Sequence, residues 1–176
     1  MNPTWPGYAR ANERLGKVSH HAFTSSTKDL APHRIGSHLR HILEFYECFL
    51  DGLDSSHIDY DARKRDESIE RSRTAAAMRI YSIIERLENN AALRGDSTVS
   101  VRMEDAYTTG IQDCFVTSSI GRELQVLRSH TIHHFALIAM TTRAHGIEVD
   151  ATFGVAPSTL RHQASKQAAG ASTEAA

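Results

Sequence analysis

The segment RSHTIHHFALIAM, residues 128–140, sets His130, His133 and His134 at the head of an apolar run. Neutral imidazole is the commonest side-chain metal ligand. One helical turn between His130 and His134 is the spacing at which a helix offers two nitrogens to one ion. With about 100° of rotation per residue, His134 falls about 40° from His130, Leu127 about 60° and Ile138 about 80°. Leu124 and Phe135 extend the same sector, while Arg122, Gln125, Arg128 and Arg143 cover the opposite side. His130 and His134 therefore point inward, and His133 sits on the border, about 60° to the other side. Taken alone the pair is weak evidence, because two core histidines satisfied by hydrogen bonds have the same spacing.

A second cluster strengthens it. In SHLRHILEF, His38 and His41 fall on the apolar side of another helical pattern, beside Ile42 and Phe45. Buried imidazoles must find partners, and four inward histidines on two helices are met either by a cation or by a polar core network. Three histidines leave a coordination position open, which is a catalytic rather than a structural arrangement. Imidazole ligation by itself suits zinc, nickel, iron or copper. Neither a facial triad nor thiolate chemistry is indicated, since no inward carboxylate or cysteine pair accompanies the histidines.

Glu123 lies on the same inner sector but about 10 Å along the axis from His130, too far to share an ion. It is expected to pair with an arginine of IDYDARKRD, residues 58–66, and is otherwise a candidate acid/base group. In that segment Asp59, Asp61 and Asp66 are candidate acceptors for ligand imidazoles, or partners of Arg63 and Arg65 within the loop. Tyr60 lines the pocket mouth or packs.

These residues need long helices to position them. PHRIGSHLRHILEFYECFLDGL opens on Pro32, ends at Gly52, and gathers Ile35, Ile42, Phe45 and Phe49 on one side, which predicts an amphipathic helix. A second helix is expected from Ser68 to Asn89 on the repeat of Ile69, Ala76, Ile80, Ile83, Ile84 and Leu87, with a further turn to Arg94. Val99, Val101 and Met103 alternate, and Ile111 and Phe115 flank a second extended run, which reads as a short β-hairpin or loop. Ser118 or Ser119 then caps a long helix to His145, stopped by Gly146. GVAPST is expected to cross the bundle in an ordered way. The fold class predicted is all-α, an antiparallel four-helix bundle over residues 31–161. Residues 1–30 form an N-terminal segment, helical at most around 8–22, and the small polar residues 162–176 are expected to be a disordered tail.

The chain has 176 residues, one domain's worth, with 40% apolar residues and a net charge of −1. That balance provides no basic field for phosphates and speaks against a nucleic-acid partner. No run of roughly 20 apolar residues offers a membrane span, and the N-terminus lacks the apolar core of a signal peptide. Cys48 and Cys114 lie far apart, consistent with two free thiols in a reducing cytoplasm. His20, His21, His33, His57, His145 and His162 are read as surface groups.

The segments IGSHLRHILEFYECFL, IDYDARKRD, SSIGRELQVLRSHTIHHFALIAM and FGVAPSTLR resemble the DinB-like (DinB/YfiT) superfamily of metalloenzymes, over roughly residues 33–161. The resemblance implies a four-helix bundle, often a homodimer, holding nickel or zinc on three histidines. It carries the ligand roles to His41, His130 and His134, with His38 as the alternative first ligand and His133 either beside the substrate or supporting a ligand from behind. The catalytic group it implies is a water or thiol activated by the cation. A small-molecule substrate follows, with a low-molecular-weight thiol as one candidate partner, in a hydrolase or thiol S-transferase reaction. The competing expectation is a non-enzymatic bundle that binds metal or serves as a scaffold.

Overall fold

The structure is a computed structural model and describes residues 18–30, 33–94, 97–103 and 115–174. It is mostly helical, with one small three-stranded sheet. The helices are α1 (His20–Thr24), α2 (Ile35–Gly52), α3 (Glu67–Arg71), α4 (Arg73–Asn89), α5 (Ile120–Ala144) and α6 (Pro157–Glu174). The strands are β1 (His57–Asp59), β2 (Thr98–Arg102) and β3 (Val116–Ser119).

Helix α2 is the hub, packing against α1, α3, α4, α5 and β1. Its apolar repeat is dense enough to bury most of its circumference: Ile35, Leu39, Ile42, Leu43, Tyr46, Phe49 and Leu50 are all buried. Onto it α4 brings Ala76, Ile80, Ile83 and Leu87, and α5 brings Leu127, Phe135 and Ile138. Helix α5 shows its polar face to water, as a 3.6-residue repeat allows; Arg122, Gln125, Arg128 and Arg143 are exposed. Ascending residues of α2 meet descending residues of α5, His38 with His134 and His41 with His130. The two helices therefore run antiparallel where they touch.

The helix expected over Ser68–Asn89 is interrupted. Ser72 adopts extended backbone, its N–H donates to Ser68 O, and its hydroxyl accepts from Ala75 N–H. A serine hydroxyl competing with the helical ladder ends one helix and starts the next. The turn expected up to Arg94 is a 3-10 helix, Ala91–Arg94. Ser119 is the residue that caps α5, accepting from Arg122 N–H. Gly146, at φ 73°, stops the chain just beyond it in the left-handed region that favours glycine.

The extended run expected on Val99, Val101 and Met103 is β2, and its antiparallel partner β3, with Val99 opposite Ser118, starts after Phe115 in residues read as the approach to the α5 cap. The sheet also contains β1, parallel to β2 with Ile58 opposite Val101, where only a polar connection was expected. Three residues are too few for alternation to register. Gly52 admits β1 against the end of α2, since a Cβ there would lie 2.4 Å from His57 O. Ile111, Cys114, Pro32 and most of the N-terminal segment lie outside the described residues.

The tail expected to be disordered is instead helix α6. Alanine, glutamine and lysine are good helix formers, which favours a helix here. Its side chains from Arg161 to Ala168 are all exposed, so that stretch adds little to the core. No helix among the described residues is long and apolar enough to cross a membrane.

Candidate metal centre

The core places three of the four inward histidines around one point. One ring nitrogen each of His41, His130 and His134 lies within 4.8 Å of the others. His41 Nε2 is 3.1 Å from His130 Nε2, and His134 Nε2 is 3.0 Å from the same atom. With metal–nitrogen bonds of about 2.0–2.1 Å, such separations correspond to about 90–100° at a shared ion, an ordinary ligand angle. The donor set fits a divalent cation.

All three rings are half-buried, which decides their protonation. Burial, then the neighbouring His130 and Arg63, holds His41 down to about 4. Burial, then His130 and His41, holds His134 down to about 3. Burial and the nearby His133 also lower His130. The three are neutral at pH 7, the state in which imidazole binds metal.

His38 takes a different place from the one a ligand would occupy. It is buried on α2, with Nδ1 3.0 Å from His134 Nδ1; His33 stacks over its ring at 5.3 Å and 5°. Its contact is with the back of His134, opposite the nitrogen that meets His130. His133 is exposed, with its ring 5.2 Å from that of His134, at the rim of the cluster.

Glu123 does not pair with an arginine. Its carboxylate is buried and accepts from Tyr60 Oη at 2.9 Å and Ser118 Oγ at 2.6 Å. Burial and the Glu123 carboxylate push the Tyr60 hydroxyl far up, so it remains a donor. Tyr60 is thus packed and bonded, away from any pocket mouth. The carboxylate ties Tyr60, just after β1, and Ser118 of β3 to α5, which removes Glu123 from the acid/base candidates.

Asp59 and Asp66 pair with neither Arg63 nor Arg65 and do not bond the histidines. Asp59 pairs with Arg102. Asp66 pairs with Arg79 at 3.2 Å and caps α3 through Ser68 N–H. Both bonds run to other elements because the loop is pinned at its ends: Tyr60 N–H donates to Arg102 O at 2.9 Å, and Asp66 N–H to the buried Glu44 at 2.6 Å.

The residue that sequence reasoning missed is Arg63. Its Nη1 donates to His41 Nδ1 at 2.7 Å and its Nε to Tyr60 O at 3.0 Å. Its guanidinium carbon lies 4.9 Å from the centre of the Phe45 ring, within cation–π range. Phe45 in turn meets His41 at 4.8 Å and His130 at 4.4 Å. In a run of alternating acids and bases no spacing singled Arg63 out.

Cys48 is no rival nucleophile. Burial, then Asp51, pushes its thiol up to about 11, so it stays protonated.

No family model matches the chain, and no solved structure matches it. A protein of Rhizopus delemar (strain RA 99-880) named FK506-binding protein 5 is 35% identical over 109 residues. The match takes in 60% of this chain and 27% of that protein, so the chain spans about a quarter of the relative's length. These findings overturn the resemblance to the DinB-like superfamily, since the similarity found points to a protein of another name. The two histidine-bearing segments that carried the resemblance are amphipathic helix patterns, and histidines at helical spacing recur on unrelated scaffolds.

Proposed function

We propose that His41, His130 and His134 hold one divalent cation, zinc or nickel, and that the protein is a metal-dependent enzyme acting on a small molecule. The observation that supports this reading is the meeting of three neutral imidazole nitrogens, from α2 and α5, within 4.8 Å. Three protein ligands leave room for a reactant. A cation bound there supplies Lewis acidity and makes a water or thiol a stronger nucleophile near neutral pH, as in hydrolysis or transfer to a low-molecular-weight thiol. The residues around it would do the rest. Phe45 walls one side against water, His38 orients His134, and the exposed His133 is placed to meet substrate at the rim.

Metal analysis of the purified protein beside a His134→Ala variant tests the reading. The expected result is about one equivalent of zinc or nickel in the parent and none in the variant, with the thermal midpoint of the two metal-free proteins little changed. Hydrolase and thiol-transferase assays on the loaded protein follow. A parent protein that carries no metal and takes up neither ion removes the proposal.

A second reading, a metal-free network that joins α2 to α5, is favoured by one contact, the donation from Arg63 to His41 Nδ1. A homodimer, a cytoplasmic location and completion of a four-helix bundle by α6 or a second copy belong to the first reading. Sedimentation of the parent and of a chain lacking α6 addresses the assembly.

A further inference from the structure

Arg63 poses a problem of proton placement. A guanidinium has donors only, so at 2.7 Å from Nη1 the His41 Nδ1 offers its lone pair. The single proton of the neutral ring then sits on Nε2, the nitrogen facing His130 Nε2 at 3.1 Å. Held this way, His41 has no lone pair for a cation on Nε2. Coordination requires the proton on Nδ1, and Nη1 must then leave. Arg63 and a cation exclude one another at His41.

Where the guanidinium goes is limited by its other contacts. Nε donates to Tyr60 O, and the carbon lies over Phe45. Tyr60 is anchored by Glu123 and by Arg102 O, and Asp66 by Glu44. A freed Nη1 therefore stays at the edge of the cluster.

The nearby carboxylates are committed elsewhere: Asp59 to Arg102, Asp66 to Arg79, Glu44 to Asp66 N–H, and Glu123 to Tyr60 and Ser118. Among the described residues no ion pair includes Arg63. A cation on three neutral imidazoles beside a guanidinium would leave positive charge that these four carboxylates, held by other partners, do not balance. The planar fork of arginine matches a carboxylate or a phosphate.

We propose that Arg63 exchanges between His41 Nδ1 and an oxyanion of the substrate, so that cation and anion bind this site cooperatively. The inference rests on the metal reading above and names the substrate class, a small molecule bearing a carboxylate or phosphoryl group. By linkage the anion raises cation affinity by the factor with which the cation raises anion affinity.

The test is nickel affinity, measured by competition with a chromophoric chelator, for the parent and Arg63→Gln. Each is titrated in chloride, acetate or inorganic phosphate at matched ionic strength. Glutamine removes the obligatory donor and presents an acceptor for Nδ1–H. In chloride, Arg63→Gln should bind nickel about tenfold more tightly than the parent. Acetate or phosphate should raise the parent's affinity by about fivefold or more, and the variant's by much less. The anion with the larger effect identifies the substrate group as carboxylate or phosphoryl. Equal or weaker nickel binding by Arg63→Gln in chloride overturns the inference, as does equal enhancement by oxyanions in both proteins. In either case the metal reading stands. A parent that binds no nickel in any buffer removes both. Circular dichroism checks the fold, and Arg63→Ala replaces the glutamine variant under the same criteria if that variant does not fold.

Discussion

His38 Nδ1 lies 3.0 Å from His134 Nδ1, a separation that a single shared proton must bridge. If His134 is to give Nε2 to a cation, its proton lies on Nδ1 and is donated to His38. His38 then acts as the acceptor that fixes the ring and tautomer of a ligand. The cost is visible, since His38 Nε2 is buried without a hydrogen-bond partner.

His38→Ala should therefore weaken nickel or zinc binding by about 10- to 100-fold while keeping one equivalent bound. Chelator competition reads the affinity and elemental analysis the stoichiometry. Complete loss of stoichiometric metal would instead make His38 a ligand.

The metal-free protein should lose stability on acidification over a defined interval. Unfolded histidines take up protons near 6.5, whereas burial keeps His41 unprotonated to about 4 and His134 to about 3. Between those limits the unfolded chain binds more protons, so stability falls as pH falls. Above about pH 7 both states are neutral and these groups add no slope. Urea unfolding from pH 7.5 down to 4.5 should show this decline, and a protein lacking both rings (H41A/H134A) should show a shallower one.

Tyr60→Phe leaves the buried Glu123 carboxylate with Ser118 as its partner. Loss of one hydrogen bond to a buried charged group should cost about 1–3 kcal/mol, read by urea denaturation. Metal affinity should change far less than stability, because Glu123 stands about two turns from His130 on α5. A large fall in affinity with intact stability would put Glu123 back into the site.

Deleting residues 162–176 takes away α6 from its exposed stretch 162–168 onward. The change in unfolding free energy should stay within about 0.5 kcal/mol, as for surface positions. A larger loss would mean that α6 docks against a second copy or the core, which sedimentation of the shortened chain would separate.

The helical part of this fold was legible because its pattern is long. Ile35, Ile42 and Phe49, or Leu127, Phe135 and Ile138, recur over many turns, and burial follows that period. The break at Ser72 was not legible, because one hydroxyl choosing a cap over a helical bond leaves the apolar repeat unaltered. Strand β1 escaped for want of length, and α6 because exposed alanine-rich sequence reads alike as coil or helix. The family resemblance failed for a related reason, since amphipathic patterns are shared by scaffolds with no common origin.

By itself, the sequence determined that His38, His41, His130 and His134 face inward, because helical geometry ties spacing to direction. It also determined the composition and neutral charge that disfavour phosphate backbones. Only the tertiary structure decided which three rings meet, that His38 stands behind His134, and that Arg63 rather than an aspartate touches His41. Those outcomes depend on the register of α2 against α5 and on how the 60–66 loop is pinned. Contacts between distant segments are set by packing, and no local spacing encodes them.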